Sequence, residues 1–398
     1  MTRKKITKRN STPTIKRGPD SFLLIFAVVM IAFGAVMIFD ASVYQADRVF
    51  GDQFYFLRQH LIWLFLGGLL GFLAYIIPYQ VILKVSPILF LITTVLLVAV
   101  LVFGEAVNGS KRWFSIGSLP IQPAEFMKPI LIVFLAGLLA KPDEEAKKKR
   151  MSEFETFKRK IIRFGAPLAL TLFLIVIEPD LDTTILLAGT AIAMFFASDN
   201  TPFHYKGTLT LAGIATALGG VVAVLASYRM ERIKTFLKLF FEGIVEDPNG
   251  RGYQIQQILI GIGSGGFLGK GFGQSRQRFG YLVENTAFTD SIFAVILEEL
   301  GYIGGAILVT LWGMFIWRIT KLSQMLNDKA ASLIMIGIGV WFTLQTFINM
   351  AANVGLIPLT GIALPFFTYG GSNTIVTMVG LGLLLNISRY AHTNEKVK

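Results

Sequence analysis

The sequence has no cysteine, only three histidines among its 398 residues, and little charge. Without cysteine there is neither a disulfide framework nor a thiolate metal site. His60, His204 and His392 lie far apart in sequence, which argues against a histidine-based zinc centre. Charged residues make up 16% of the chain, against about 25% in an average soluble protein. Because the mean hydropathy is also high, at +0.62, the composition indicates an integral membrane protein.

The net charge of +12 is concentrated in an N-terminal tail and in residues 141–163. Both segments flank apolar runs, where Lys and Arg mark the cytoplasmic side of a membrane. Membrane topology therefore explains the charge better than nucleic-acid binding does. The first apolar run is too long for a cleavable signal, and no small-residue cleavage site follows it.

Ten apolar runs predict an all-α, polytopic integral membrane protein, since a spanning helix needs about 20 apolar residues. They cover 22–42, 57–77, 83–103, 125–140, 161–177, 182–198, 207–227, 289–317, 330–351 and 367–388. The predicted organisation is a basic cytoplasmic tail (1–21), a transmembrane domain (22–390) and a second cytoplasmic tail (391–398). A large extracytoplasmic loop, residues 228–288, would separate the seventh and eighth helices.

On the predicted outer side, the stretch NGSKRWFSIGSLPIQPAEFMK (108–128) contains five candidate binding residues. They are Lys111, Arg112, Trp113, Glu125 and Lys128. Lys and Arg beside an interfacial tryptophan suit a phosphate group, with the ring at headgroup depth. The alternative is an ordinary aromatic belt, with Glu125 in the favourable first turn of a helix.

The next outward turn, IEPDLDTT (177–184), is broken by Pro179. Asp180 or Asp182 can cap the following helix, because Asp accepts the free N–H groups of a first helical turn. Glu178 ends an apolar run without such a role, so we expect it to pair with a basic residue or to line a cavity.

Residues 252–290 are rich in glycine and are predicted to form a flexible loop with exposed N–H groups. The stretch departs from the GxxxxGK[ST] pattern at two positions, so nucleotide hydrolysis is not supported. Its polar side chains form a basic, hydrogen-bonding surface that suits a pyrophosphate or a sugar. They include Lys270, Gln274, Ser275 and Arg276. A mobile hairpin without a ligand is the alternative.

The last outward segment, 353–374, holds two prolines and the Tyr369-Gly370-Gly371-Ser372 turn, so regular helix is not expected before Thr374. Non-helical backbone at membrane depth is tolerated only against protein or a wet cavity. The segment is therefore predicted to be a cavity wall that includes Tyr369, with Ser372 as a candidate substrate-binding residue. A proline-kinked helix with no ligand nearby is the alternative.

Asp290 stands where the glycine-rich stretch gives way to an apolar run that begins at Ser291. A carboxylate at this boundary either caps the helix or has a function such as catalysis. Two further acids, Glu298 and Glu299, lie about 12–14 Å along the helix at 1.5 Å per residue. At that depth they are interpreted as structural, either as helix–helix anchors or as cavity lining.

Five stretches together resemble the SEDS family, the FtsW/RodA/SpoVE group. They are KRW…QPAEF (111–126), EPDLDT (178–183), GSGGFLGKGFGQS (263–275), TDSIFAVILEELG (289–301) and LPFFTYGGS (364–372). The stretches occur in the family's order across nearly the whole chain. Residues 40–63 and 273–282 are more similar to the FtsW/SpoVE division branch than to RodA.

The resemblance implies a peptidoglycan glycosyltransferase that polymerises lipid II at the outer face of the bacterial cytoplasmic membrane during cell division. It implies a class B penicillin-binding protein as transpeptidase partner, other division proteins as further partners, and a location at the septum with both termini in the cytoplasm. No nucleic-acid partner is implied. The alternatives are a flippase for lipid-linked precursors and a non-catalytic division scaffold.

The family's catalytic acid lies in the pattern P-E-x-H-T-D-F-I-F, and the resemblance carries that role to Asp290. Four positions depart from the pattern. Asn285 and Thr286 occupy the positions where the pattern has Pro and Glu. Phe288 replaces the histidine, and Ser291 replaces the phenylalanine that follows the aspartate. Any role that the family gives to that histidine or glutamate cannot be transferred to this chain.

The implied reaction joins a sugar hydroxyl to an anomeric carbon that carries undecaprenyl pyrophosphate. Asp290 is expected to act as the general base toward the hydroxyl. Four cations, Lys111, Arg112, Lys270 and Arg276, are expected to hold the pyrophosphate. A divalent cation, Mg²⁺ or Mn²⁺, could also stabilise this leaving group, although no ligand set is legible in the sequence.

Overall fold

Twelve α-helices and one small sheet form the part of the chain that the computed structural model describes. The described residues are 18–107, 110–116, 119–142, 151–199, 201–225, 227–243, 252–279 and 286–391. The helices are α1 (Ser21–Phe50), α2 (Tyr55–Ile76), α3 (Tyr79–Phe103), α4 (Pro123–Ala140), α5 (Glu153–Ile177), α6 (Leu181–Ala197), α7 (Pro202–Leu225), α8 (Ser227–Glu242), α9 (Tyr253–Gly265), α10 (Ile292–Gln324), α11 (Lys329–Asn353) and α12 (Gly371–Ser388). Between α3 and α4, the strands β1 (Glu105–Val107), β2 (Ser110–Ile116) and β3 (Leu119–Ile121) form an antiparallel sheet in that order.

Eight of the described helices, α1 to α5 and α10 to α12, are long and apolar enough to cross a membrane. Helix α6 is a shorter apolar helix of 17 residues, and α7 coincides with the remaining predicted span. The prediction of a helical, multi-pass membrane protein is therefore confirmed.

Local sequence explains where several helices begin. The Asp20 side chain caps α1 by accepting a hydrogen bond from the Leu23 N–H at 3.1 Å. Asp180 caps α6 in the same way, with the Thr183 N–H at 3.1 Å. The capping role predicted for Asp180 or Asp182 thus belongs to Asp180, because its side chain reaches the unpaired N–H groups of the first turn.

Glycines allow α2 and α12 to approach each other closely. A Cβ atom added to Gly382 would lie only 2.0 Å from the carbonyl oxygen of Gly71, and one added to Gly71 would lie 2.5 Å from the carbonyl oxygen of Met378. Lipid tails are as apolar as the side chains of a helix, so the hydrophobic effect does not drive helices together within a membrane. Close packing of this kind, which small residues allow, stabilises the helix pair instead.

The predicted outer loop, 228–288, contains the helices α8 and α9. The expectation of a flexible glycine-rich loop was wrong for Gly261, Gly263 and Gly265, which lie within α9. The apolar face of α9 packs against α10, and this burial favours helix over the flexibility of glycine. A Cβ atom on Gly265 would lie 2.4 Å from the Leu297 carbonyl oxygen, so this glycine permits close packing.

The residues after α9, 266–275, form a turn that we call the glycine hairpin, and it meets α10 where that helix is broken. The break is at Gly301, whose φ of 66° and ψ of −170° are not helical. The N–H groups of Lys270 and Gly271 donate to the carbonyls of Glu298 and Glu299, each at 3.0 Å. Backbone groups freed within a membrane must find partners inside the protein, and the hairpin supplies them.

Side chains strengthen this junction. The Lys270 ammonium lies 2.6 Å from a carboxylate oxygen of Glu298, and the Ser275 hydroxyl donates to the other oxygen at 2.7 Å. The Ser275 N–H donates to Glu299 at 3.0 Å. Both glutamates are buried, so they anchor the glycine hairpin to α10. Lys270 and Ser275 therefore form bonds within the protein, between the glycine hairpin and α10.

We expect Lys270→Met to destabilise the protein by about 2 kcal/mol, because it leaves a charged carboxylate buried without its partner. This is below the roughly 3–5 kcal/mol of a fully buried pair, since the Lys270 side chain is 27% exposed. Thermal unfolding of the purified protein measures the loss. The double variant Lys270→Met/Glu298→Gln should recover most of it, and Arg58→Met, which removes a mainly exposed ion pair with Asp52, should change little. Equal effects of Lys270→Met and Arg58→Met would contradict this account.

Candidate active-site cavity

A cavity of about 480 Å³ opens at the end of the bundle where α4, α6, α10 and α12 begin. This is the end that the positive-inside rule assigns to the outer face. Segments distant in sequence form its wall: the sheet, the starts of α4 and α6, the residues before α10, and the non-helical residues before α12. The lining includes Arg112, Trp113, Gln122, Glu125, Lys128, Asp180, Asp182, Thr289, Asp290, Thr368, Tyr369 and Ser372.

Asp290 lies on this wall, in a tight turn just before α10. The Ser291 N–H donates back to the Thr286 carbonyl at 2.9 Å, which closes the turn. The Asp290 carboxylate accepts a hydrogen bond from the Thr289 hydroxyl at 3.0 Å. In this described segment the N-cap residue of α10 is Ser291, and no side chain makes a capping hydrogen bond there. The simple capping alternative for Asp290 is therefore not what the geometry shows.

The surroundings favour a basic carboxylate at Asp290. Burial raises the pKa of Asp290 above its ordinary value, and the negative Asp182 acts in the same direction. The Thr289 hydroxyl and the positive Arg232 oppose this rise. Since a carboxylate with a raised pKa accepts a proton more readily near neutral pH, the site suits general-base chemistry.

Two asparagines of α11, one turn apart, hold the Asp290 backbone. The Asn349 side-chain amide donates to the Asp290 carbonyl and to the Ile362 carbonyl, both at 2.8 Å. The Asn353 amide donates to the same Asp290 carbonyl at 3.0 Å. The Thr368 hydroxyl donates to the Thr289 carbonyl at 2.9 Å. These bonds tie the turn to α11 and to the residues before α12, and so fix where the carboxylate can reach.

Glu125 and Lys128 form a buried ion pair on the cavity wall, one helical turn into α4. The Lys128 ammonium lies 2.6 Å from a Glu125 carboxylate oxygen. An ammonium has three N–H donors, and this contact uses one of them. Lys128 can therefore be held in place by Glu125 and still donate to an anion in the cavity.

Arg112 and Trp113 reach the cavity from β2. The Arg112 side chain donates from Nε to the Glu178 carbonyl at 2.8 Å and from a terminal nitrogen to the Pro179 carbonyl. Because a guanidinium is planar and carries five N–H donors, these two bonds fix its orientation and leave donors for a ligand. Lys111, in contrast, donates to the Val102 carbonyl at 3.1 Å and does not line the cavity.

A polar seam joins three segments of the wall, which are the start of α4, the start of α6 and the residues around the start of α12. The Gln122 side chain donates to Asp180 at 2.9 Å, and its backbone N–H donates to the Ser372 hydroxyl at 3.0 Å. Asp182 accepts a hydrogen bond from the Gly361 N–H at 3.0 Å. The non-helical residues before α12 line the cavity, and that helix begins at Gly371, earlier than the predicted Thr374. The starts of α4 and α6 and the residues around the start of α12 are thus cross-linked around the cavity.

Glu178 is fully buried and does not line the cavity. Neither of its carboxylate oxygens has a hydrogen-bond partner within the described ranges. The expectation that its side chain pairs with a base or lines the cavity was therefore wrong, because Arg112 takes its backbone carbonyl instead. Burial raises the pKa of Glu178 to about 8, Asp180 adds to the rise, and Arg112 opposes it.

The native protein is expected to lose stability as the pH rises from 4.5 to 8, and we expect the Glu178→Gln variant not to show this loss. A folded pKa of about 8 lies above the ordinary value of 4.5, so the folded state keeps a proton that the unfolded state has released. Stability present below pH 4.5 is then lost as the pH rises through 8. Thermal unfolding of both proteins from pH 5 to 8.5 should show the variant gaining on the native chain as pH rises. Parallel pH curves would contradict the assignment.

The structure brings most of the predicted outer residues together. Those lining the cavity are Arg112, Trp113, Glu125, Lys128, Asp180, Asp290, Tyr369 and Ser372. Those outside it are Lys111, Glu178, Lys270, Gln274, Ser275, Arg276, Glu298 and Glu299. The four candidates from the glycine-rich stretch, Lys270, Gln274, Ser275 and Arg276, thus lie apart from the residues of the cavity. Their substrate-binding role stays a prediction without support from position.

The sequence reasoning missed Asn349, Asn353, Gln122 and Thr368. The available signal was a pair of amides at i and i+4 inside an apolar span, where polar side chains need a partner. Phe288, at the position of the family's histidine, is buried against the rings of Phe56 and Tyr369, with ring centroids 4.6 Å and 5.7 Å away.

Within the described ranges, no group of three or more acidic or histidine side chains could hold a metal ion. The described residues therefore do not form a ready site for Mg²⁺ or Mn²⁺, and we assign no step to a cation.

Comparisons with known proteins agree with the architecture. The chain matches the FtsW/RodA/SpoVE family, described as cell cycle protein, over residues 20–393. It is 36% identical over 380 residues to stage V sporulation protein E of Bacillus subtilis, covering 95% of this chain and 99% of that one. It is 35% identical over 377 residues to a probable peptidoglycan glycosyltransferase FtsW of Thiomicrospira cyclica, covering 93% and 92% of the two chains.

Solved structures show the same fold. One similar chain comes from work on the structural coordination of polymerization and crosslinking by a peptidoglycan synthase complex, with a TM-score of 0.73 and 26% identity over 93% of this chain and 98% of that one. Another is the rod shape determining protein RodA of Thermus thermophilus, with a TM-score of 0.64 and 22% identity over 94% and 98% of the two chains.

Proposed function

This chain belongs to the FtsW/RodA/SpoVE family of cell cycle proteins, and from that premise we propose that it is a peptidoglycan glycosyltransferase. It polymerises lipid II into glycan strands at the outer face of the bacterial cytoplasmic membrane. The relative named as a probable peptidoglycan glycosyltransferase aligns over nearly its whole length. The observation that carries the proposal is Asp290 on the wall of a polar cavity at the predicted outer end of the bundle.

The cavity's residues divide the reaction between them. The acceptor hydroxyl oxygen attacks the anomeric carbon of the donor, while the bond from that carbon to the pyrophosphate oxygen breaks. Asp290 takes the proton that the hydroxyl loses. Arg112 and Lys128 offer N–H donors to the pyrophosphate, which gathers negative charge as it leaves. The carboxylate and the two cations line the same cavity. Proton removal from the acceptor hydroxyl and stabilisation of the leaving pyrophosphate can therefore occur in the same step.

The proposal extends to topology and partners. Both termini lie in the cytoplasm, since the N-terminal tail and residues 141–163 carry the basic excess. A class B penicillin-binding protein crosslinks the strands that this chain makes, in keeping with the relative studied as a peptidoglycan synthase complex. The similarity to FtsW and to a sporulation protein favours work at the division septum or a related septum.

The purified full-length protein, supplied with lipid II, tests the proposal. We expect glycan polymer to form, and we expect a class B penicillin-binding protein to increase its yield. A parallel assay in liposomes scores movement of lipid II across the bilayer without polymerisation. Movement without polymer would favour the transporter alternative, and neither activity, with and without the partner, would favour a scaffold.

A further inference from the structure

A second charged cavity, of about 170 Å³, lies at the opposite end of the bundle from Asp290. It is placed where α4 ends and where α5 and α11 begin, whereas the active-site cavity lies where α4 begins. Helix α4 has 18 residues, so the two cavities are separated by about 27 Å of helix at 1.5 Å per residue. This is the end that the positive-inside rule assigns to the cytoplasm.

The cavity has an excess of positive charge. Its lining holds four cations, Lys141, Lys160, Arg163 and Lys329, against a single acid, Asp199. Asp199 lies 3.2 Å from Lys160. Among the described residues, none forms an ion pair with Lys141, Arg163 or Lys329. Lys160 and Lys329 border the same cavity. Like charges gathered around one cavity favour the binding of an anion.

Apolar side chains complete the same lining. Leu138, Leu139 and Phe164 border the cavity beside the cations. A neighbouring cavity of about 160 Å³ shares Lys160 and Asp199 and is bordered by the rings of Phe157 and Phe203. A site that combines cations with apolar walls at the end of spanning helices fits a molecule that has both a phosphate and an acyl portion.

We propose that this cavity binds the phosphate of an anionic phospholipid headgroup from the cytoplasmic leaflet. Arg163 and Lys329 contact the phosphate oxygens, because Arg and Lys donate strong, charge-assisted hydrogen bonds to phosphate. The leucines and the phenylalanines pack against the glycerol and the first acyl carbons. The proposal is independent of the glycosyltransferase function, since no residue of this cavity lines the active-site cavity.

Lipid titration of the detergent-solubilised, full-length protein tests the site. Short-chain phosphatidylglycerol is the probe, and short-chain phosphatidylcholine and inorganic phosphate are separate arms. We expect phosphatidylglycerol to bind, phosphatidylcholine to bind far more weakly, and millimolar phosphate not to displace the lipid. Arg163→Gln/Lys329→Gln should weaken phosphatidylglycerol binding about tenfold, since each cation near an anionic lipid adds to affinity.

The matched control is Lys84→Gln/Lys321→Gln, which removes two exposed cations at the same end of the bundle but outside the cavity. Its phosphatidylglycerol affinity should stay within about twofold of the native chain, as remote exposed charges are screened. Thermal unfolding checks that both double variants are folded, and Lys141→Gln/Arg163→Gln replaces the test pair if it is not. Equal affinity in the test and control variants would overturn the site. Full displacement by phosphate would overturn the lipid as its ligand.

Discussion

We expect Asp290→Asn to lower the rate of glycan polymerisation by about 10²–10⁴-fold, the range that a general base contributes. Asparagine keeps the size of the side chain and can still accept the hydrogen bond from the Thr289 hydroxyl. It cannot accept a proton from the acceptor sugar. The fold and the lipid II affinity should therefore persist while the chemical step fails, which a polymer assay at saturating lipid II measures as a fall in kcat.

The pH profile provides a second readout for Asp290. Because burial raises the pKa of this carboxylate, the native activity should rise with pH as the carboxylate loses its proton, and the variant's residual activity should lack that limb. Asp47→Asn is the matched control, as Asp47 is an exposed aspartate near the end of α1 on the same side of the membrane. Native-like polymer yield from a folded Asp290→Asn protein would remove Asp290 from the mechanism.

The second large effect is expected at Asn349, which contacts no substrate in the proposed mechanism. Asn349→Ala removes the donor shared by the Asp290 and Ile362 carbonyls. The turn before α10 then loosens, and a shift of about 1 Å in a catalytic group can cost about 10²-fold in rate. We expect kcat to fall by that order while KM changes little, because the cations on the cavity wall are untouched.

Asn386→Ala separates positioning from general stability. The Asn386 amide donates to the Ala74 carbonyl at 2.8 Å and to that of Ile77, at the far end of α12 from the cavity. Both asparagines are buried. Asn349→Ala removes the side-chain donor of the Ile362 carbonyl and leaves the Asp290 carbonyl with Asn353 alone, while Asn386→Ala removes the donor of two carbonyls. Each change therefore costs roughly 1–3 kcal/mol. Thermal unfolding should show similar losses for the two variants. If the activity per folded molecule falls equally in both, Asn349 has no special positioning role.

The fold could be predicted well because its signals are local. An apolar run of about 20 residues is sufficient to indicate a spanning helix, and the helix starts follow capping residues such as Asp20 and Asp180. The failure came in the long outer segment. There the glycines indicated flexibility, while the packing of α9 and of the glycine hairpin against α10 produced an ordered structure.

The candidate site could be predicted only in part, for a related reason. The outer groups were recognised from charge beside aromatic, proline or glycine residues, and Arg112, Lys128 and Asp290 do share one cavity. Lys270 carries the same charge but is bound to Glu298. The sequence indicates the charge of a residue and predicts its side of the membrane. It does not indicate which oppositely charged residue will form an ion pair with it.

The sequence alone indicated that this chain crosses the membrane many times, and it predicted that the basic segments face one side and that Asp290 stands at a membrane boundary. These follow from composition and from contacts between neighbours in the chain. Only the tertiary structure decided that Asn349 and Asn353 hold Asp290, that Lys270 pairs with Glu298 outside the cavity, and that four cations gather around a cavity at the other end. Those pairings depend on how helices far apart in sequence pack, and in a medium of low polarity each buried charge or amide must find its partner there.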